Sequence, residues 1–298
     1  MSSQPKEALL RKLEGMDKMP TLPVSLMPLL RYLETPIEQL DVQKVVDLIS
    51  HDKSLSAQCL QMANSPLFGR WQTVDNVKSA VVSLGLQRMR DIALSCSVLT
   101  LVPAGATRND PVVFWEHALA VALVCRQFAR KIKYPDPDKA YLGGLLHDIG
   151  IVAHLWLAPE EFRETLNLGQ SQHIPLHEAE CTVMGVTHAE TGKIVAERWH
   201  LTHDLVNIVR FHHEPTKAPS HRDLVALVSL SDLLCRMGGI GYGYSEDREV
   251  DFHEQPAFDL LLQECPSLGT FDWARFTFEL ESYMEEVHRL VTQLYRAA

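Results

Sequence analysis

Apolar residues recur at intervals of three and four along almost the whole chain, and this spacing is the strongest constraint on its fold. An α-helix turns once every 3.6 residues, so the spacing places these residues on one face of a helix. The alternation of apolar and polar residues that marks strands is hard to find. The sequence therefore predicts an all-α protein.

The segment 103–110 contains Gly, Ala, Thr, Asn and Asp and interrupts the helical pattern. We interpret it as a linker between an amino-terminal helical subdomain, residues 1–104, and a second helical subdomain, residues 105–298. The apolar pattern predicts these helices: 6–14, 24–33, 41–49, 54–63, 77–84, 86–101, 111–133, 138–149, 151–157, 159–168, 175–184, 187–199, 202–213, 222–237 and 271–295. Asp41 is placed to cap one of them, and 64–69 forms a turn that ends another.

Composition and charge exclude several classes of partner. The net charge of −10 argues against non-specific binding to nucleic acid or to anionic membranes, which needs a basic surface. The longest apolar run, Ala118–Cys125, is far shorter than a membrane span. The six cysteines form no CxxC pair and are typical of reduced, mostly buried thiols. We therefore expect a cytoplasmic protein that binds neither nucleic acid nor membrane.

The segment Gly143–Gly150 places His147 and Asp148 side by side at the end of an apolar run. An imidazole and a carboxylate are ligands that suit a divalent metal ion. The same pair could also hydrogen-bond locally or cap a turn. Its meaning depends on whether other residues of the same kind accompany it.

Five further residues of metal-ligand type fall on apolar faces of predicted helices. They are His117, His188, His212, His213 and Asp232. Burying an ionisable group costs several kcal/mol unless it is paired or coordinates a metal. With His147 and Asp148 they predict a helical site for one or two divalent transition-metal ions, with Asp148 able to bridge two. Mixed His and Asp ligation does not distinguish Fe, Mn, Ni, Co and Zn.

Two alternatives remain open at this point. The histidines could instead form a hydrogen-bonded polar core without metal. His212 and His213 diverge by about 100° on a helix, so they would serve two ions, or one would bind and the other support it.

We predict that the other nine histidines lie at the surface. They are His51, His154, His173, His177, His200, His203, His221, His253 and His288.

The order of the seven residues resembles that of the HD superfamily of metal-dependent phosphohydrolases. Further motifs, over about residues 18–238, resemble the HDOD family of HD-related output domains. These motifs are Met19–Pro23, Ile49–Leu55, Met62–Phe68, Ala80–Gly85 and Met89–Arg90. The resemblance implies an HD-domain-like helical bundle in a bacterial signal-transduction protein, with signalling proteins as partners.

The chain departs from the catalytic HD-GYP relatives at three places. Those relatives carry a lysine at the position of Ile151, and some carry a glutamate at that of Val113. They also carry a GYP segment after the paired histidines, where this chain has Glu214–Lys217. We therefore expect a regulatory module with a metal site and no catalytic residues. The alternative is a phosphohydrolase of a nucleotide or phosphoester, in which Asp148 and a metal-bound water would act.

The loop Gly238–Gly243, within the glycine-rich segment 238–247, has two interpretations as well. It is either a flexible connector or a lid over the site.

Overall fold

The computed structural model describes Pro28 and residues 41–68, 73–102, 110–242 and 251–297. These residues are mainly helical and contain no β-strand, which confirms the all-α prediction. The predicted helices 6–14 and 24–33 lie outside the described residues, apart from Pro28. So does all of the predicted linker except Asp110.

The chain divides into two compact units. The amino-terminal unit comprises Pro20–Val102 with Glu285–Ala298, and the histidine unit comprises Pro103–Met284 with Met1–Met19. The limits 1–104 and 105–298 stay a prediction.

Local capping explains where the helices of the amino-terminal unit begin and end. The helices are α1 (Val42–Ser50), α2 (Lys53–Ala63), α3 (Val77–Leu84) and α4 (Leu86–Leu99). The Asp41 carboxylate accepts the backbone N–H of Gln43 at 2.9 Å, which confirms the predicted cap. Helix α2 stops at Asn64, whose side-chain amide bonds both backbone groups of Val74 at 2.8 Å. Asn64 of the predicted turn thus holds the backbone of Val74 in place.

The remaining helices of the described residues lie in the histidine unit, except that the last one passes into the amino-terminal unit at Glu285. They are α5 (Asp110–Lys131), α6 (Pro137–Leu146), α7 (Ile149–Leu157), α8 (Pro159–Gln172), α9 (Leu176–Val183), α10 (His188–Arg198), α11 (His203–Phe211), α12 (Arg222–Met237), α13 (Pro256–Glu264) and α14 (Trp273–Ala297). Helix α5 packs against α6 and α12, while α10 packs against α7 and α11. The boundary between the two units falls within α14.

One predicted helix is divided into two in the structure. The pattern predicts a helix over 138–149, but α6 ends at Leu146 and α7 begins at Ile149. His147 and Asp148 therefore lie in the turn between two helices.

Two segments, Val112–Lys131 and Pro137–Leu157, are long and apolar enough to cross a membrane by length and composition alone. In the structure 78% and 89% of their most apolar windows are buried inside the fold. This burial is typical of core helices, whose apolar faces meet protein on all sides.

Glycine at position 150 allows α7 and α10 to approach closely. A Cβ atom on Gly150 would lie 1.9 Å from the carbonyl oxygen of His188 and 2.7 Å from the nitrogen of Gly192. Both neighbours are backbone atoms, so neither can rotate away. The close crossing brings the start of α10 beside the turn that carries Asp148.

We expect Gly150→Ala to destabilise the protein by about 1–3 kcal/mol or more, because the added methyl group forces two helices apart. Denaturant unfolding followed by circular dichroism measures the change. Gly269→Ala is the matched control, because the nearest atom to its added Cβ, Leu262 Cδ1, is 3.5 Å away. An unfolding free energy for Gly150→Ala within about 0.5 kcal/mol of the control would contradict the close crossing.

Candidate metal centre

The structure brings all seven predicted residues together. His117 comes from α5, His147 and Asp148 from the turn between α6 and α7, His188 from the first position of α10, and Asp232 from α12. His212 and His213 directly follow α11. All are buried except His213, which is half-buried.

Four side chains converge around Oδ2 of Asp148 and Oδ1 of Asp232, and we call them the first group: His117, His147, Asp148 and Asp232. Asp148 Oδ2 lies 3.2 Å from His147 Nε2 and 3.5 Å from His117 Nε2. Asp232 Oδ1 lies 3.2 Å from His117 Nε2 and 3.9 Å from His147 Nε2. Two imidazole nitrogens and two carboxylates thus converge.

The other oxygen of Asp148 belongs to the second group: Asp148, His188, His212 and His213. Asp148 Oδ1 lies 3.1 Å from His188 Nε2 and 3.3 Å from His212 Nε2. The Nε2 atoms of His188 and His213 are 2.9 Å apart. The four donor atoms all lie within 4.8 Å of one another. One aspartate therefore contributes an oxygen to each group.

The expected divergence of His212 and His213 is wrong. Their ring centroids are 4.0 Å apart, and both face the second group. Helix α11 ends at Phe211, so the two histidines lie in a turn and not on successive positions of a helix.

In four of the five histidines, Nδ1 faces away from the groups and bonds an oxygen atom. The partners are the carbonyls of Ile240 for His117 at 2.8 Å, Gly144 for His147 at 2.7 Å and Val209 for His212 at 3.1 Å, and the carboxylate of Glu180 for His188 at 2.7 Å. These oxygens only accept, so Nδ1 carries the hydrogen. In its neutral form, each of these rings presents the Nε2 lone pair inward, as metal-binding histidines do.

Several inward atoms have no hydrogen bond. His117 Nε2, His147 Nε2 and Asp148 Oδ1 are buried without one. Leaving a buried polar group unsatisfied costs about 1–3 kcal/mol, and more for a charged group. A cation in the first group would satisfy the two imidazole nitrogens, and a cation in the second group would satisfy Asp148 Oδ1. The residues present therefore fit a divalent metal ion, and their N and O donors suit a transition metal.

Neighbouring charges keep the carboxylates ionised despite their burial. Burial raises the pKa of Asp148, but the positive charges of His147 and His188 outweigh it and hold that pKa well below its usual value. Burial likewise opposes ionisation of Asp232, and the Arg236 guanidinium, 3.1 Å away, keeps its pKa low. Both aspartates are thus in the form that binds cations.

The histidines of the second group differ in proton affinity. Burial disfavours protonated His188, yet the charges of Glu180 and Asp148 raise its pKa well above the usual value. Burial lowers the pKa of His212 and, much further, that of His213. Neutral His212 and His213 offer lone pairs, which is the form that a metal ion requires.

Part of the glycine-rich segment reaches the site. We call Gly238–Tyr242 the strap. Its Tyr242 hydroxyl donates to Asp148 Oδ2 at 2.6 Å, and the Tyr242 ring lies 5.1 Å from that of His117. The carbonyl of Ile240 accepts from His117. The interpretation as a simple connector is therefore wrong for the strap, and residues 243–247 lie outside the described part of the chain.

His154 and His177, which the sequence analysis predicts at the surface, instead lie next to the site. His154 is fully buried, and its Nδ1 lies 3.1 Å from Oε1 of the buried Glu180. The His177 ring stacks on His213 at 4.2 Å, and burial with the charge of His188 lowers the pKa of His177 to about 4. Glu180 follows the buried Leu176 by four residues, and that spacing could have placed it on an inward face.

Comparison with known proteins identifies the family. The HDOD domain model matches residues 19–215, which is most of the chain. The chain belongs to the HDOD family. Its structure matches that of an HDOD domain protein of unknown function from Geobacter sulfurreducens with a TM-score of 0.84, at 26% identity and 98% coverage of both chains. This confirms the predicted HD-like helical fold.

Two further relatives extend the comparison of this HDOD chain. A crystal structure from Shewanella amazonensis, described as that of a candidate phosphohydrolase, matches with a TM-score of 0.70 and 25% identity, covering 96% of this chain and 98% of that one. An uncharacterized protein of Treponema pallidum is 28% identical over 229 residues, or 75% of this chain. The chain spans only 43% of that curated relative.

A capping box fixes the start of α10 and so the position of His188. The Thr187 hydroxyl accepts the N–H of Glu190 at 3.2 Å, and the Glu190 carboxylate accepts the N–H of Thr187 at 3.1 Å. Two backbone donors at the helix terminus are thereby satisfied.

We expect Thr187→Ala to lower the unfolding free energy by about 1 kcal/mol, because one N–H of the first turn loses its acceptor. Chemical denaturation is the measurement. Thr187→Ser keeps the hydroxyl and should retain most of the stability. Equal losses in the two variants would mean that the methyl group, and not the cap, matters at this position.

Proposed function

We propose that this HDOD chain is a regulatory module of bacterial signal transduction that acts through contacts with other proteins in the cytoplasm. In this proposal it holds two divalent transition-metal ions. His117, His147, Asp148 and Asp232 would hold one ion, and Asp148, His188, His212 and His213 the other. The observation that carries the proposal is the convergence of inward-facing Nε2 atoms on the two oxygens of Asp148.

Two features favour regulation over turnover. Ile151 is buried and apolar at the position where the catalytic HD-GYP relatives resembled by this family carry lysine. The Tyr242 hydroxyl also bonds Asp148 Oδ2, the oxygen of the first group. The first feature removes a phosphate contact, and the second engages a carboxylate that a hydrolase would devote to its metal ions.

A phosphohydrolase is the second candidate, and one observation favours it. A pocket beside the two groups is bounded by Pro175, His177, Arg236 and Tyr242. When bound, divalent ions lower the pKa of a coordinated water and turn it into a nucleophile. In this candidate Asp148 would share its two oxygens between the ions, and Arg236, which pairs with Asp232, would supply positive charge near a phosphoester.

We expect the protein, purified without a chelator or histidine tag, to contain two transition-metal ions per chain by elemental analysis. Asp148→Ala should lose both ions, because one carboxylate serves both groups. Asp232→Ala should lose only the ion of the first group.

Asp259→Ala is the control, because Asp259 is an exposed carboxylate on α13 in the same unit. Circular dichroism must show that each variant is folded. Metal-free wild-type protein that is fully folded and does not take up added Mn²⁺, Co²⁺ or Zn²⁺ would refute the metal centre and favour a hydrogen-bonded histidine core.

Hydrolysis of para-nitrophenyl phosphate and of its bis-ester separates the two candidates. We expect the metal-loaded wild type to show no more turnover than Asp148→Ala, because the lysine and GYP contacts are missing. Turnover that requires metal and disappears in Asp148→Ala while Asp259→Ala retains it would establish the hydrolase instead.

A further inference from the structure

Behind the second group lies a buried carboxylate, Glu180, that the seven predicted ligands do not include. Its side chain is fully buried on α9. Glu180 Oε2 accepts two hydrogen bonds from one residue, at 2.7 Å from His188 Nδ1 and at 2.8 Å from the His188 backbone N–H. The carboxylate therefore fixes both the ring and the main chain of His188.

A second layer supports Glu180 from the other side. His154 Nδ1 lies 3.1 Å from Glu180 Oε1, and His154 Nε2 lies 3.0 Å from the hydroxyl of the buried Thr191. His154 belongs to α7 and Thr191 to α10. A series of buried side-chain contacts thus links Thr191, His154, Glu180 and His188 in that order. It ends at His188 Nε2, the atom that faces Asp148.

The first group is supported differently. The Nδ1 atoms of His117 and His147 donate to the backbone carbonyls of Ile240 and Gly144, which carry no net charge. In the second group, by contrast, the Nδ1 atom of His188 lies 2.7 Å from a carboxylate oxygen, Glu180 Oε2. The negative charge of Glu180 therefore acts on one group more than on the other.

We propose that Glu180 is the positioning residue of the second metal ion, acting through His188. The inference rests on the proposed metal-binding function. A carboxylate behind a histidine ligand holds the ring in one tautomer and one orientation and makes Nε2 a stronger donor. Losing such a partner typically weakens metal binding about 10–100-fold.

Glu180→Gln tests this role with little disturbance of packing. The glutamine oxygen can still accept both hydrogens of His188, and its amide can donate to His154 Nδ1 in the alternative tautomer of that ring. His154 Nε2 would then donate to the Thr191 hydroxyl. The substitution therefore removes the negative charge of the Glu180 side chain and keeps its size and shape.

Mn²⁺ and Co²⁺, each alone, are titrated into metal-stripped wild-type protein and into the Glu180→Gln and Glu178→Gln variants. Calorimetry gives the number of ions and their affinities, and the electron paramagnetic resonance of Mn²⁺ distinguishes a coupled pair from an isolated ion. Glu178 lies on the same helix and is only half-buried, so its substitution is the matched control.

We expect Glu180→Gln to bind one ion about 10–100-fold more weakly, to keep the other, and to show the spectrum of an isolated Mn²⁺ ion at one equivalent bound. Glu178→Gln should match the wild type. If Glu180→Gln binds two ions with wild-type affinities, the role inferred for Glu180 is overturned, but the proposed metal centre is not. Equal weakening of both ions together with lower thermal stability would overturn it in favour of a structural role. A wild type that binds neither metal would overturn the proposed function as well.

Discussion

The candidate centre depends on one carboxylate that two groups share. Asp148 Oδ2 lies 3.2 Å from His147 Nε2, and Asp148 Oδ1 lies 3.1 Å from His188 Nε2. This sharing requires α10 to begin close to the turn between α6 and α7. Gly150, two residues after Asp148, makes that approach possible, because its missing Cβ leaves room for the carbonyl oxygen of His188. The close packing of α7 against α10 therefore also brings the residues of the second group together.

Helix ends orient His147 and His212. The carbonyls of the last turn of a helix have no partner within the helix, and together they form its negative end. His147 follows the end of α6 and donates to the carbonyl of Gly144, three residues earlier. His212 follows the end of α11 and donates to the carbonyl of Val209, again three residues earlier. The same geometry satisfies an orphan carbonyl, turns Nε2 inward and places negative potential where a cation would bind.

Residue type and helical spacing were sufficient to predict the fold class and the seven clustered side chains. The early ends of α6 and α11 could not be predicted this way, because apolar spacing continues into the turns that carry His147 and His212. The sequence predicts a surface position for His154 because nothing in its local pattern marks it as special. Helix α7, however, is buried on nearly every face, and the partner that accommodates His154, Glu180, is 26 residues away on another helix. Pairings between distant elements become visible only when the helices are packed.

The two groups share Asp148 but rest on different supports. The strap holds the first group through Tyr242 and Ile240 and continues directly from α12, which carries Asp232. Glu180 and His154 hold the second group from α9 and α7. A displacement of the strap would remove hydrogen bonds from the first group and leave the anchoring of His188 intact. In the proposed regulatory module, a change in the strap could therefore alter the first group while the hydrogen bonds between Glu180 and His188 stay in place.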